Sequence, residues 1–185
     1  GRFQSEFRQR GVHNPHAPGA FLQHITSVHG PACTISTACS SSAKAFAAAA
    51  RWLELDLADA VVVGGVARLC QSVIHGFDSL QLVDNEVCRP FDEQRGGISL
   101  GEAAGFVLLA REPLQDSGMR LLGYGESSDA HHMSSAHPEG IGAELAMRAA
   151  MTRSRLDMTE LDYVNLHGTG TNANDAIESK ISKKL

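Results

Sequence analysis

Apolar positions along the chain follow two patterns, short unbroken runs and longer stretches with helical spacing. Residues 59–67, Asp-Ala-Val-Val-Val-Gly-Gly-Val-Ala, contain an apolar β-branched run that is typical of a strand buried on both faces. Residues 141–155 repeat their apolar side chains at the spacing of a helix. The same reasoning predicts strands at residues 33–37, 104–110, 120–126 and 162–166, helices at residues 20–29 and 39–56, and a last helix capped by Asn174 or Asp175.

Strands that alternate with helices predict a layered α/β fold with a parallel or mixed sheet. Turn-forming residues separate these elements. Pro18-Gly19 is expected to break the chain before the first helix, and residues 88–97 and 127–140 are predicted to be loops. The Gly64-Gly65 pair lies inside the 59–67 strand, where it would let another backbone approach closely.

Composition places the chain among ordinary globular proteins and excludes several functions. The 185 residues are 43% hydrophobic, and the net charge of −5 without a basic stripe argues against nucleic acid as a partner. No run of 18 apolar residues is present, so no membrane span is predicted. The cysteines lack the spacing of zinc or disulfide frameworks, which favours a reducing, cytoplasmic setting; they are Cys33, Cys39, Cys70 and Cys88.

Neither end of the sequence has the pattern expected of a natural terminus. The chain starts without Met in a polar segment, and it stops just after its last helix begins. We therefore expect a fragment of a longer protein.

Cys39 is the strongest candidate for chemistry. It stands where the predicted strand at 33–37 runs directly into an Ala-rich helix, so the thiol would lie in the first helical turn. Free backbone N–H groups and the positive end of the helix dipole favour a thiolate there, and a thiolate is a nucleophile. The alternative is a buried structural cysteine. The run Ser40-Ser41-Ser42 and the strand-to-helix junction favour catalysis.

His167 is the second candidate, because it opens the sequence His-Gly-Thr-Gly-Thr at the carboxyl end of a predicted strand. Open α/β sheets place ligands at that edge. Gly168 and Gly170 would let a substrate approach the backbone, and Thr169 and Thr171 would present hydroxyls on one side. The imidazole could donate a hydrogen bond to a carbonyl oxygen or accept a proton.

Three further histidines superficially suggest a metal site. Their spacing fits no standard set of metal ligands, so a loop lining or solvated face is the better interpretation; they are His131, His132 and His137. No metal or organic cofactor is predicted.

Four motifs together resemble the β-ketoacyl-acyl-carrier-protein synthases of the elongating type. They are Thr37-Ala-Cys-Ser-Ser-Ser-Ala43, Arg89-Pro-Phe-Asp92, Gly101-Glu-Ala-Ala-Gly105 and His167-Gly-Thr-Gly-Thr171. Their order and spacing match across nearly the whole chain. The resemblance implies a thiolase-like layered αβαβα fold, incomplete here, with residues 1–115 forming most of the N-terminal half and residues 116–185 the start of the C-terminal half.

The resemblance also implies a reaction. Cys39 would take an acyl group from a carrier protein as a thioester, and its backbone N–H would supply one oxyanion-hole donor. Decarboxylation of a malonyl-carrier would then give a carbanion that attacks this thioester, with His167 stabilising the enolate. Four hydroxyls match positions that hold the phosphopantetheine arm of the carrier, although turn formation is the alternative for them; they belong to Ser134, Ser135, Thr169 and Thr171. Glu102 matches a buried structural carboxylate.

Some expected parts of such an enzyme are missing. The second His, the Lys and the Gly-Phe-Gly-Gly segment of active relatives are absent, so we expect the chain alone not to complete a condensation. Other possibilities are a thiolase or related acyltransferase, a non-catalytic partner resembling a chain-length factor, and a dimerisation scaffold in which residues 33–37 pair across a two-fold axis. The expected partners are an acyl carrier protein and a second subunit, in a homodimer or a heterodimer with a related chain.

Overall fold

The computed structural model describes residues 14–112, 118–132 and 135–184. In these residues the chain forms five α-helices, two strands and two short 3₁₀ turns. In chain order they are α1 (Ala17–Thr26), a 3₁₀ turn (Ala38–Ser40), α2 (Ser41–Glu54), β1 (Ala60–Ala67), α3 (Gln71–Ser79), β2 (Ala103–Ala110), α4 (Ile141–Ser154), a 3₁₀ turn (Met158–Glu160) and α5 (Asn172–Ser182).

The chain divides into two compact units. The first combines Gly1–Val66 with Ala104–Asp116 and contains α1, α2 and most of both strands. The second combines Ala67–Ala103 with Ser117–Leu185 and contains α3, α4 and α5. The division into residues 1–115 and 116–185 stays a prediction, because it concerns family halves rather than compact units.

The first unit confirms the strongest sequence patterns. Strands form at 60–67 and 103–110 and pair with each other, and a helix follows the Ser-rich segment as predicted. The Ala-rich helix α2 buries Ala47, Ala49 and Leu53. The small side chains of Ala47 and Ala49 let α2 pack closely against its surroundings.

The glycine pair in β1 allows close approach of other groups, but the predicted approach of a backbone is confirmed only at Gly64, and side chains approach both glycines. A Cβ at Gly64 would clash with the ring of Phe106 and lie 2.8 Å from the Gly105 carbonyl oxygen on β2. A Cβ at Gly65 would lie 2.8 Å from the Ser42 hydroxyl at the start of α2. Both glycines therefore remove bulk where α2 and β2 approach β1.

Three predicted strands are wrong. Residues 33–37, 120–126 and 162–166 carry no strand assignment, and the described residues offer only the β1–β2 sheet. A strand requires a hydrogen-bonded neighbour, and β propensity alone does not supply one. Part of the second segment instead lies against α4, where a Cβ at Gly125 would clash with the Ala146 carbonyl oxygen.

The expected burial of β1 on both faces is also wrong for this chain. Only Val63 of β1 is buried, and Val62 and Val66 are 38% and 55% exposed. A strand becomes buried on both faces only when other layers cover it. In the described residues β1 has one neighbouring strand.

Two helices begin earlier than expected. α1 begins at Ala17 with Pro18 in its first turn, because a first-turn residue needs no N–H donor within the helix. α5 begins at Asn172, so Thr171, rather than Asn174 or Asp175, occupies the N-cap, where it forms no side-chain cap hydrogen bond. The turn-rich loop at 88–97 and the helix at 141–155 are confirmed, the latter as α4. In the ranges described, no helix has both the length and the apolar composition needed to cross a membrane.

Candidate active site

Cys39 is exposed at the centre of the 3₁₀ turn that leads into α2, two residues before the position at which the α-helix begins. The preceding residue, Ala38, has φ of 52°, in the left-handed region that side chains with a Cβ rarely adopt. Such a conformation costs on the order of 1–3 kcal/mol and persists only where surrounding contacts impose it. The cysteine is therefore held at a strained bend.

The two serines that follow Cys39 impose the shape of this bend. The Ser41 hydroxyl donates to the Ala38 carbonyl oxygen at 2.6 Å and accepts from the Thr37 N–H at 2.9 Å. The Ser40 hydroxyl lies 2.9 Å from the Thr37 carbonyl oxygen, to which it donates. The Ser-rich run thus builds the turn that presents Cys39.

His167 is exposed and begins the Gly-Thr loop, defined here as residues 167–171. The two glycines of this loop, Gly168 and Gly170, have φ of 55° and 70°. The Thr169 and Thr171 hydroxyl oxygens are 2.8 Å apart and hydrogen-bonded, which confirms that they lie on one side of the loop. No strand precedes His167, so its placement at a strand end is wrong.

A helix carboxylate binds the start of the Gly-Thr loop. Glu178 of α5 is 9% exposed, and its Oε1 accepts from the His167 N–H at 2.6 Å. Its Oε2 accepts from the Gly168 N–H at 2.8 Å and from the Asn174 side-chain amide at 2.9 Å. A buried carboxylate needs such donors to offset its lost hydration.

A second carboxylate of α5 binds the Pro-Phe loop, defined here as residues 88–97. Asp175 is 1% exposed, and its Oδ2 accepts from the Phe91 N–H at 2.8 Å. The same oxygen lies 3.4 Å from Nε of Arg95, which is buried and has no hydrogen-bond partner among the described residues. Their interaction is therefore an ion pair. Phe91 has φ of 63°, so this loop also contains a strained residue beside its anchor.

The Gly-Thr loop and the Pro-Phe loop contact each other directly. Cys88 donates its thiol hydrogen to the Thr169 carbonyl oxygen at an Sγ–O distance of 3.4 Å. A Cβ at Gly170 would lie 2.7 Å from the Gly97 carbonyl oxygen and 2.9 Å from Cys88 Sγ. Gly170 is buried at this contact, so its missing side chain allows close packing of the loops.

The remaining predicted residues are distributed as follows. Ser134 lies outside the described residues, and Ser135 is exposed. Glu102 is exposed rather than buried, because nothing in the described chain covers it, and its Oε2 accepts from the Leu69 N–H at 3.1 Å. Cys39 belongs to the first unit and His167 to the second.

His131 and His137, from the predicted loop at residues 127–140, are held by a ring contact and a hydrogen bond. The rings of His131 and His137 meet edge to face with centroids 4.8 Å apart, and the His137 N–H donates to Asp129 Oδ2 at 2.6 Å. In residues 14–112, 118–132 and 135–184, no three His, Cys, Asp or Glu side chains are grouped to hold a metal ion.

A different cysteine has a perturbed acidity. Cys70 occupies the N-cap position of α3, and its Sγ is 3.1 Å from the Ser72 hydroxyl oxygen. Hydrogen bonds from the Ser72 hydroxyl and from the Val73 N–H, with a smaller contribution from the charge of Arg68, lower the pKa of Cys70 below its ordinary value.

The anchoring carboxylates were missed as functional residues by sequence reasoning. The sequence pattern indicates Asp175 only as a helix-cap candidate, and it predicts no role for Glu178. A usable signal exists in the spacing, because both share a helix face with the buried Ile181 at intervals of three residues. Acidic residues on the apolar face of a helix indicate buried partners.

Comparison with known proteins identifies the family. Residues 7–114 match the family model described as "Beta-ketoacyl synthase, N-terminal domain". Residues 119–185 match the model described as "Beta-ketoacyl synthase, C-terminal domain". Nodulation protein E of Rhizobium sp. (strain N33) is 32% identical over 177 residues, covering 92% of this chain and 44% of that protein. The 3-oxoacyl-[acyl-carrier-protein] synthase 2 of Rhizobium meliloti (strain 1021) is 37% identical, covering 85% of this chain and 40% of that protein.

Solved structures show the same likeness. A ketosynthase (ApeO) from Xenorhabdus doucetiae, determined in complex with its chain length factor (ApeC), is 45% identical and superposes with a TM-score of 0.89, covering 93% of this chain and 42% of that chain. A β-ketoacyl synthase from Burkholderia phymatum STM815 is 26% identical with a TM-score of 0.82. These similarities confirm the thiolase-like fold, and the chain spans less than half the length of the relatives it matches. The chain belongs to the β-ketoacyl synthase family.

Proposed function

We propose that this chain carries the nucleophile of a β-ketoacyl-acyl-carrier-protein synthase that extends fatty acid or polyketide chains. The observation that supports this most is the strained, serine-braced turn at Ala38 that presents an exposed Cys39 at the start of α2. A nucleophile needs such access, and contacts outside the thiol hold it in place. The family assignment, and the place of Cys39 within the family motif, support the same conclusion.

In the proposed first half-reaction, the Cys39 sulfur attacks the acyl thioester on a carrier protein. The new carbon–sulfur bond joins the acyl group to Cys39, the old one breaks, and the carrier thiol leaves. The backbone N–H of Cys39 donates to the oxyanion that develops on the acyl carbonyl.

In the proposed second half-reaction, a malonyl-carrier loses CO₂ and the resulting carbanion attacks the Cys39 thioester. This forms a carbon–carbon bond, frees the Cys39 thiol and leaves a 3-oxoacyl group, two carbons longer, on the carrier. His167 stabilises the enolate during decarboxylation. The carrier's phosphopantetheine arm is part of the substrate, and Thr169 and Thr171 are proposed to hold it, as are Ser134 and Ser135. No resident cofactor is required.

We further infer a carrier protein and a second synthase-like subunit as partners. The ketosynthase that is 45% identical was solved with its chain length factor, which supports a heterodimer with a related chain, and a homodimer is the alternative. The free cysteines support a reducing, cytoplasmic location.

Acyl transfer to Cys39 tests the proposal. The full-length product of the gene would be incubated with an acyl-carrier protein and digested, and the peptide containing Cys39 should gain the mass of the acyl group. Cys39→Ser should abolish the gain, whereas the matched variant at another exposed cysteine, Cys33→Ser, should retain it. Acylation that is absent, or that is equal in the Cys39→Ser variant, would refute the nucleophile and favour a scaffold or chain-length-factor role.

The role of His167 is tested separately by CO₂ release from a malonyl-carrier. His167→Ala should lower this rate strongly while leaving acylation of Cys39 in place. Equal loss of both half-reactions would contradict a role confined to decarboxylation.

A further inference from the structure

Thr169 stands between two glycines, so its neighbours in sequence do not fix the peptide group that follows it. Gly168 and Gly170 have φ of 55° and 70°, and glycine adopts either sign of φ at little steric cost. The peptide group between Thr169 and Gly170 can therefore turn over unless a contact outside the loop holds it. Such a turn would redirect the Thr169 carbonyl and displace the Thr169 hydroxyl.

The Cys88 side chain supplies a contact of this kind. Its thiol donates to the Thr169 carbonyl oxygen, at an Sγ–O distance of 3.4 Å, and this carbonyl belongs to the peptide group in question. Gly170 is buried beside the same sulfur, where an added Cβ would lie 2.9 Å from Sγ. One half-buried cysteine therefore meets both residues that this peptide group joins.

The backbone of Cys88 is itself held in place. Its N–H donates to the Ser99 hydroxyl oxygen at 2.9 Å, and that hydroxyl donates to the Glu86 carbonyl oxygen at 3.2 Å. The thiol is thus carried by a segment of the Pro-Phe loop that has its own support.

The two threonine hydroxyls depend on different supports. Thr171 is the N-cap of α5, and its carbonyl oxygen accepts from the Asp175 N–H at 3.1 Å, so the helix holds it. Thr169 lies outside the helix, and its hydroxyl oxygen is 2.8 Å from that of Thr171. The geometry of this pair therefore requires a fixed backbone at Thr169, which is where Cys88 binds.

We propose that Cys88 is a positioning residue for Thr169, and that its thiol fixes the hydroxyl with which Thr169 holds the phosphopantetheine arm. This inference depends on the role proposed above for the threonine hydroxyls. It requires Cys88 to affect the binding of a carrier-borne substrate more than the rate of the chemical step.

The test uses Cys88→Ala in the full-length gene product. In acylation of Cys39, the KM for the acyl-carrier should rise by about threefold to tenfold with kcat nearly unchanged, as expected for the loss of one hydrogen bond that serves binding. An acyl ethyl thioester has no phosphopantetheine arm, so its kcat/KM should stay the same. Equal losses with both substrates would show a merely structural role and overturn the proposal, as would an unchanged KM for the acyl-carrier.

Other substitutions separate the hydrogen bond from the loss of the side chain. Cys88→Ser keeps a donor and should hold the KM within about twofold of the original, whereas a rise as large as that of Cys88→Ala would overturn the proposal. The matched control is Cys70→Ala, the same change at another half-buried cysteine of the same unit, and it should leave this KM unchanged. If Cys88→Ala does not fold, Cys88→Val, which is apolar and donates no hydrogen, is held to the same outcomes.

A double variant tests whether Cys88 acts through Thr169. Thr169→Val alone should raise the KM for the acyl-carrier, and in its presence Cys88→Ala should raise that KM no further. Two independent, additive rises would overturn the proposal and leave the role of the Thr169 hydroxyl intact. If Thr169→Val leaves the KM unchanged, the role proposed for that hydroxyl has failed and this inference fails with it.

Discussion

Asp175→Ala should destabilise the second unit more than any exposed substitution. The side chain is 1% exposed, accepts a hydrogen bond from the Phe91 N–H at 2.8 Å, and faces the buried Nε of Arg95 at 3.4 Å. Removing it leaves an amide donor without this acceptor and a guanidinium without its counter-charge. Both losses fall on the Pro-Phe loop.

The magnitude follows from the two interactions. Removal of one partner from a buried ion pair costs about 3–5 kcal/mol. Because the Arg95 side chain is 18% exposed and can recover part of its hydration, the lower end applies, about 3 kcal/mol. Asp175→Asn keeps an oxygen for the Phe91 N–H and loses only the charge, so about 1–2 kcal/mol is expected.

Urea denaturation followed by circular dichroism measures these free energies of unfolding. The matched control is Asp162→Ala, an exposed aspartate of the same unit, which should change stability by less than about 0.5 kcal/mol. The double variant with Arg95→Ala should show a coupling energy of about 1 kcal/mol or more. A cost below about 1 kcal/mol for Asp175→Ala, or no coupling to Arg95, would refute the anchoring role.

Three further results are expected. Gly170→Ala should destabilise the protein by about 2–4 kcal/mol, because it combines a left-handed backbone with overpacking against the Pro-Phe loop. The control Gly19→Ala should not destabilise it, because no atom lies within 4 Å of the added Cβ. Similar thermal midpoints for the two variants would contradict this prediction. Hydrogen bonds from Ser72 and the backbone lower the pKa of Cys70. Iodoacetamide should therefore alkylate Cys70 faster than Cys33 near neutral pH, as followed by peptide mass spectrometry. Equal rates would show that these hydrogen bonds do not favour the thiolate. The pKa of Glu139 lies below its ordinary value of 4.5 because of its lysine partner on α5. The stability that Glu139 contributes is therefore present above pH 4.5 and is lost as the pH falls through the lower pKa of the folded state. Glu139→Gln should flatten the fall of the thermal midpoint in acid, and an unchanged pH profile would contradict the shift.

Prediction from the sequence is most accurate for elements that nearby residues stabilise or that have a long, regular apolar pattern. β1, β2, α2 and α4 combine a sustained apolar pattern with clear flanking turns, and they form close to the predicted bounds. The segments 33–37, 120–126 and 162–166 have strand-like composition, but a strand depends on a neighbouring strand, which need not be close in sequence. Local pattern carries no information about that neighbour.

The motifs of the candidate site could be predicted from the sequence, but the two α5 carboxylates that anchor its loops could not. Cys39 and the Gly-Thr loop are visible because glycine, threonine and a lone cysteine at a turn are unusual. Asp175 is separated from its partner Phe91 by 84 residues, so no short motif joins this carboxylate to the loop that it anchors. The serines after Cys39 favoured catalysis from sequence, and the structure assigns Ser40 and Ser41 to the geometry of the bend instead.

The anchoring of the Pro-Phe loop by Asp175 affects how the protein can be divided. The Arg89-Pro-Phe-Asp92 motif lies within residues 7–114, which match the N-terminal family description, yet the carboxylate that holds it comes from residues 119–185, which match the C-terminal one. A polypeptide cut between these regions would leave the motif without its support. Chimeras between relatives should therefore exchange residues 67–103 and α5 together, because a crossover near residue 115 would combine the Pro-Phe loop of one relative with the anchoring carboxylate of another.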